Sequence, residues 1–148
     1  MSAVPPSVRI SSEPAASEAD AQRVKDGLSL YNVARTGQDH WRYVRLFVRD
    51  DKGLIRGGLL GAIWGGWLHV TDLWLEESLR GSGLGRRLME MAEEEARDEG
   101  CRYVHLDSHC FQAPDFYKKL GYEEFGRLKD SPLGHEQVFL WKRLELRG

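Results

Sequence analysis

One stretch limits the possible folds of this chain more than any other. It is residues 72–100, centred on the turn Arg80-Gly81-Ser82-Gly83-Leu84-Gly85. Leu68-His69-Val70-Thr71-Asp72-Leu73-Trp74-Leu75 precedes the turn as an apolar run of strand length. Beyond it, Leu84, Leu88, Met91, Ala92 and Ala96 recur at helical spacing, and Gly100 is placed to end the helix. The order is strand, glycine-rich turn, helix. A turn of this kind offers backbone N–H groups at a helix start, where anions are favoured. Glycine there leaves room for a phosphate to approach the backbone.

The local charges agree. Helices favour acids in their first turn and bases in their last, yet Arg80, Arg86 and Arg87 crowd this start while Glu93, Glu94 and Glu95 lie further on. The reversal costs about 0.3 kcal/mol or more per exposed charge, which a bound polyanion would offset. A P-loop would require Gly-x-x-x-x-Gly-Lys-Ser/Thr, whereas Arg86-Arg87 follows Gly85. A dinucleotide fingerprint would require Gly-x-Gly-x-x-Gly, whereas the glycines fall at 81, 83 and 85. Asp107 could imitate the ribose-binding acid of that fold, so a nicotinamide-dependent oxidoreductase stays as an alternative.

The stretch resembles motif A of the GNAT (Gcn5-related N-acetyltransferase) superfamily, Arg/Gln-x-x-Gly-x-Gly/Ala after a strand ending in a Leu-x-Val-like triplet. Here those elements are Arg80, Gly83 and Gly85, preceded by Leu73-Trp74-Leu75. Ala113-Pro114-Asp115-Phe116-Tyr117-Lys118-Lys119-Leu120-Gly121-Tyr122 is similar to the family's Ala-x-x-x-Tyr-x-Lys-x-Gly-Phe/Tyr segment. The resemblance covers about residues 40–145.

Composition fits one soluble α/β domain, residues 1–148, with residues 1–14 expected to be partly flexible. Charged residues make up 30% and hydrophobic ones 41%, and the net charge of −2 with no basic stripe argues against nucleic acid. The longest stretch without Asp, Glu, Lys or Arg, residues 57–71, is too short and glycine-rich to span a bilayer. Residues 1–6 lack the basic and apolar regions of a signal peptide, so the expected location is the cytoplasm. Cys101 reads as a core thiol. Cys110, with His105 and His109, lacks a fourth metal ligand, so no metal is expected, and nucleophilic catalysis is the lesser reading.

In chain order, a short strand is expected near residues 8–11. A helix begins at the capping sequence Ser17-Glu18-Ala19-Asp20, buries Val24, Leu28 and Tyr31, and ends near Gly37. Strands at 41–49, 54–64 and 67–75, joined by tight turns, predict an antiparallel meander, with the second strand interrupted by Gly57, Gly58 and Gly61. Next come the motif helix, a strand at 101–107, a connection at 108–112, a short helix starting at Pro114, and strands near 122–128 and 137–144. The sum is a mixed sheet flanked by helices.

The resemblance implies a splayed mixed sheet with acetyl-CoA in the V between the fourth and fifth strands. Pantetheine would pair with the main chain of Leu73 and Leu75, a form of edge pairing. The diphosphate would rest on Arg80, Gly81, Ser82, Gly83, Leu84, Gly85 and Arg86. Gln112 stands where many relatives carry an asparagine that bonds pantetheine. A backbone N–H near Leu73 would polarise the thioester carbonyl. Tyr117 matches the general-acid tyrosine, since a phenol near pKa 10 can protonate or hydrogen-bond a thiolate near about 8.5.

An attacking amine must first lose a proton, and Asp72 is the first candidate base, followed by Glu76, Glu77 and Asp107. Asp72 reads equally as a structural acid bonded to its neighbours. The resemblance further implies a primary amine on a small molecule or peptide as acceptor, and a homodimer. Trp41, Trp64, Trp67 and Trp74 read mainly as core, with one or two reaching an acceptor pocket. His69 and His135 lie outside the assigned residues. A catalytically silent acyl-CoA-binding or sensor module is the other alternative.

Overall fold

The computed structural model describes Ala3 and residues 6–146, which group into two compact units, one ending at Asp39 and the other starting at His40. Residues 1, 2, 4 and 5, part of the stretch expected to be flexible, lie outside the described residues.

The first unit holds α1 (Glu18–Thr36). The Ser17 hydroxyl accepts from the Asp20 N–H at 3.2 Å, and Gly37 adopts φ 71° so that its N–H can close the last turn on the Val33 carbonyl. No strand forms at residues 8–11, because a lone extended segment has no partner for its backbone groups. Val24, Leu28 and Tyr31 also depart from expectation, being 73%, 61% and 62% exposed. Their spacing does align them on one helix face, but among the described residues of this unit α1 is the one regular element.

The second unit is built on a six-stranded sheet. β1 (Trp41–Arg49), β2 (Ile55–Trp64) and β3 (Trp67–Leu75) form the antiparallel meander. A 3-10 turn at Glu77–Leu79 leads through the glycines into α2 (Leu84–Asp98), then β4 (Tyr103–His109), α3 (Pro114–Lys119), β5 (Glu123–Lys129) and β6 (Glu136–Arg143). The strand order is β1-β2-β3-β4-β6-β5, with β3 and β4 parallel and the other neighbours antiparallel. β4 runs on to His109, so Ser108 and His109 belong to the sheet rather than to the following connection.

Alternation along the strands builds the core on one face. Val44, Leu59, Ile63, Leu68, Val70, Val104, Leu106, Val138 and Leu140 pack with Leu88, Met89, Ala92 and Ala96 of α2. Met91, expected on the buried stripe, is 36% exposed, and Met89 is fully buried in its place. Leu88, Ala92 and Ala96 do form the buried line, but the sheet lies to its 89/93 side. Full burial of a methionine side chain stabilises by about 1.5–3 kcal/mol.

β2 is continuous despite its glycines, which sit where neighbouring backbones come close. A Cβ at Gly61 would lie 2.7 Å from the His69 carbonyl oxygen. The tryptophans expected mainly in the core are not there. Trp41, Trp64 and Trp74 are 49%, 36% and 52% exposed, and Trp67 is only partly buried. Residues of like parity on adjacent strands put Trp41, Trp64 and Trp67 on the face opposite α2.

The sheet opens in its middle. β3 pairs with β4 only from Trp67 to Val70, opposite Tyr103 to Leu106. Beyond this point β3 follows β2 and β4 follows β6. A β-bulge assists the separation. Val70 faces Gly61 and Asp72 faces Leu60, leaving Thr71 as the extra residue, whose hydroxyl donates to the Leu60 carbonyl at 3.2 Å.

Candidate active site

Where β3 and β4 part, their inner edges carry backbone groups with no strand between them. The gap is a cleft of about 910 Å³. One wall is the end of β3, with Asp72, Leu73, Trp74 and Leu75. The other is the end of β4 and the start of α3, with Asp107, Ser108, His109, Gln112 and Tyr117. Arg80, Gly81, Gly83, Gly85 and Arg86 close one end. Both sequence motifs therefore meet in one cavity. Ser82 and Leu84 are not part of its lining: the Ser82 hydroxyl turns back to the Leu79 carbonyl and receives the Leu84 N–H at 3.4 Å.

The glycine turn takes its shape from Gly83, which starts α2 at φ 88°, a left-handed conformation costly for other residues. The helical ladder begins with the Arg87 N–H on the Gly83 carbonyl at 3.0 Å, so the amides of Gly85 and Arg86 have no helical acceptor. Arg80 ties the turn to the strand by donating Nε to the Leu75 carbonyl at 3.2 Å. On the outer side, Arg86 pairs with Glu90 at 3.0 Å. Gly85 also lets α3 approach, since a Cβ there would meet Phe116 Cζ at 3.4 Å.

Tyr117 stands edge-on to Phe116, with ring centroids 5.0 Å apart. Burial and, secondarily, the charge of Asp107 push its phenol up to about 12, so it remains a donor throughout the neutral range. Asp107 is already engaged by Gln137 Nε2 at 2.7 Å. Among the other acids considered, Glu76 is bound by Arg56 Nε, and Glu77 opens the 3-10 turn outside the cleft lining. Asp72 is exposed on the cleft wall.

Gln112 uses its side-chain oxygen within its own turn, accepting the His109 N–H at 2.7 Å, so only its NH₂ group remains for a ligand. Cys110 approaches His135 Nδ1 at 3.9 Å, not His105 or His109, so the Cys/His grouping considered from the sequence does not assemble. Cys101 is buried in the core, which pushes its thiol up.

Sequence reasoning missed Ser108, His109, Phe111 and Phe116 as cleft residues, while Trp74 is the tryptophan of the four considered that reaches this cleft. His109 is the most informative, because its Nδ1 is buried with no partner among the described residues. An unpaired polar atom on a cleft wall marks a place for a ligand group. The sequence signal was its parity with Asp107 and Phe111 along an extended run, hidden by ending the strand too early.

The family model for the acetyltransferase (GNAT) family matches residues 12–122. An acetyltransferase of Agrobacterium fabrum is 36% identical over 125 residues, covering 84% of this chain and 90% of the relative. The blasticidin-S acetyltransferase of Streptomyces morookaense is 41% identical over 95 residues, covering 64% of this chain and 70% of the relative. The crystal structure of an acetyltransferase from Bacillus cereus superposes with a TM-score of 0.78 at 36% identity, covering 90% of this chain and 98% of that one.

Proposed function

The chain belongs to the GNAT family of acetyltransferases, and from that premise we propose that it moves an acetyl group from acetyl-CoA directly to a primary amine of a small molecule or peptide. The observation that carries this reading is the unpaired inner edge of β3 beyond Val70, which opens toward the glycine turn with Tyr117 across the cleft. An extended pantetheine arm fits as a short substitute strand along Leu73 and Leu75. The diphosphate fits the free amides of Gly85 and Arg86, with Gly81, Gly83 and Arg80 around it. The similarity to a relative named for blasticidin S favours a small-molecule acceptor.

Bound acetyl-CoA supplies an activated acyl carbon and a thiolate leaving group. Asp72, the cleft carboxylate left free of the pairings that hold Glu76 and Asp107, takes a proton from the incoming ammonium. The neutral amine attacks the acyl carbon, the C–S bond breaks as the tetrahedral adduct collapses, and the second proton lost by nitrogen passes through solvent to the departing thiolate. A backbone N–H near Leu73 steadies the negative charge on the carbonyl oxygen. Tyr117 meets the departing sulfur. A proton moving from a phenol near 12 to a thiolate near 8.5 goes uphill by about 5 kcal/mol, so Tyr117 serves as a hydrogen-bond donor to sulfur.

The test is release of free coenzyme A thiol from acetyl-CoA with a panel of amines, on the wild-type protein and on Tyr117→Phe and Asp72→Asn. Amine-dependent release that falls in both variants is the expected result. Undiminished turnover in both would remove these two roles, and acetyl-CoA binding without turnover of any amine would identify a silent acyl-CoA-binding module.

A further inference from the structure

The sheet face opposite α2 holds a second cavity of about 920 Å³, and none of its lining residues is an aspartate, glutamate, lysine or arginine. Its walls come from Trp41, Trp64, Trp67, Trp141 and Phe125, with His69 and His105 beside them. The aromatic groups are ordered against one another. Trp67 stacks on Tyr103 at 4.7 Å with 26° between the planes, and presents an edge to His105 at 5.5 Å. The imidazoles of His69 and His105, register partners on β3 and β4, lie face to face at 4.2 Å and 14°.

The two strands that carry His69 and His105 into this trough are the ones that part at the acyl cleft. Two residues beyond His105, on the same face, is Asp107. Beyond His69 and the bulged Thr71 comes Asp72, which faces the outward Leu60. Both carboxylates line the acyl cleft. The route therefore leads from indole rings, past two imidazoles, to a pair of acids at the point where β3 and β4 part.

From this arrangement we propose that the trough is the acceptor site and that the acceptor is a primary amine on a flat aromatic or heteroaromatic body. The proposal rests on the acetyl-transfer reading above and adds the substrate class. Indole faces bind a flat ring by offset stacking and attract a nearby ammonium through the ring quadrupole. Without a lysine or arginine in its lining, the trough has no permanent cation to pair with an acceptor carboxylate or phosphate. Asp72 and Asp107 draw the ammonium to the end where the thioester lies. Burial, more than the neighbouring His69, holds His105 below the usual histidine range, so near neutrality it carries less positive charge against the ammonium than an ordinary histidine would.

Two measurements test it. Phenethyltrimethylammonium, which cannot be acetylated, is titrated against n-hexyltrimethylammonium with tryptophan fluorescence as the readout. The aryl probe is expected to bind at least about tenfold tighter, and equal affinities or no quenching would overturn the proposal. With acetyl-CoA, phenethylamine is expected to exceed n-hexylamine in kcat/KM by at least about tenfold, and equal values would likewise overturn it.

Trp141→Leu should abolish the aryl preference and Trp141→Phe should retain it, with folding of each verified by circular dichroism. Loss of the preference in neither variant counts against the site. Aryl-selective binding without turnover of any amine would support the trough and sink the transfer reading. Turnover without aryl preference would do the reverse.

Discussion

The Tyr122 hydroxyl donates a 2.8 Å hydrogen bond to Glu93, joining the loop after α3 to the buried side of α2. Glu93 is only 5% exposed, and its other oxygen receives Lys142 Nζ at 2.8 Å, with Arg97 at 3.8 Å. A carboxylate this deep is tolerable only when paired and hydrogen-bonded. The network fixes α2, and with it the glycine turn at its start, against β6.

Tyr122→Phe removes one bond to that charge and is expected to lower unfolding stability by about 1.5–3 kcal/mol. Glu93→Ala, which also strands the Lys142 cation, is expected to cost more, about 3–5 kcal/mol. Urea unfolding of the two variants checks the order. Equal stabilities for wild type and Tyr122→Phe would show that the bond adds nothing net.

At the glycine turn, a side chain at Gly83 must adopt φ 88°. Gly83→Ala is expected to cost about 1–2 kcal/mol in stability and to weaken acetyl-CoA binding at least about tenfold, because the amides of α2 would be re-aimed. Gly53→Ala is the control, since Gly53 has a comparable φ of 80° in the turn between β1 and β2, outside the cleft lining. It should show the strain without the loss of affinity in isothermal titration calorimetry. Matching affinity losses would mean that global destabilisation, not the turn, governs binding.

Tyr117→Phe is expected to lower kcat by about 10²-fold, with a smaller change in the KM for acetyl-CoA. The active form is the protonated phenol, which is lost only as pH rises through about 12. The alkaline side of the wild-type pH–kcat profile should therefore show no decline from this group up to about pH 10. A decline that disappears in Tyr117→Phe would place its ionisation much lower than burial dictates.

Local patterns carried much of the fold. Strand-length runs at 41–49, 54–64 and 67–75 joined by tight turns marked β1 to β3, and the turn at residues 80–85 marked the start of α2. The mixed sheet followed from those pieces. What escaped the sequence depends on partners far along the chain. Glu93 resembled its solvated neighbours because its partners lie 29 and 49 residues away. Trp41, Trp64 and Trp67 have the composition of core residues, but α2 covers the other face of the sheet. Trp141, on β6, joins them only because β6 lies beside β4. The cleft residues Arg80, Gly83 and Tyr117 were legible because two motifs name them, whereas His109 needed the true end of β4.

His105 makes the trough sensitive to pH. The titratable groups beside it on this face are His69 on β3 and Tyr103 and Asp107 on β4, while β6 presents Trp141 and Phe139 opposite it and Asp107. Burial and then His69 lower the His105 value from 6.5, against the opposing pull of Asp107. The unfolded chain therefore takes up a proton there more readily than the folded one. Its contribution is complete above 6.5 and is lost as pH falls through the lowered folded value. Measured Tm should drop more steeply between about pH 7 and 5 in wild type than in His105→Gln. Over the same range, protonation of the imidazole opposes an approaching ammonium, so the KM for phenethylamine should rise on acidification in wild type and rise less in the variant. Identical slopes in both Tm and KM would remove His105 from the acceptor path.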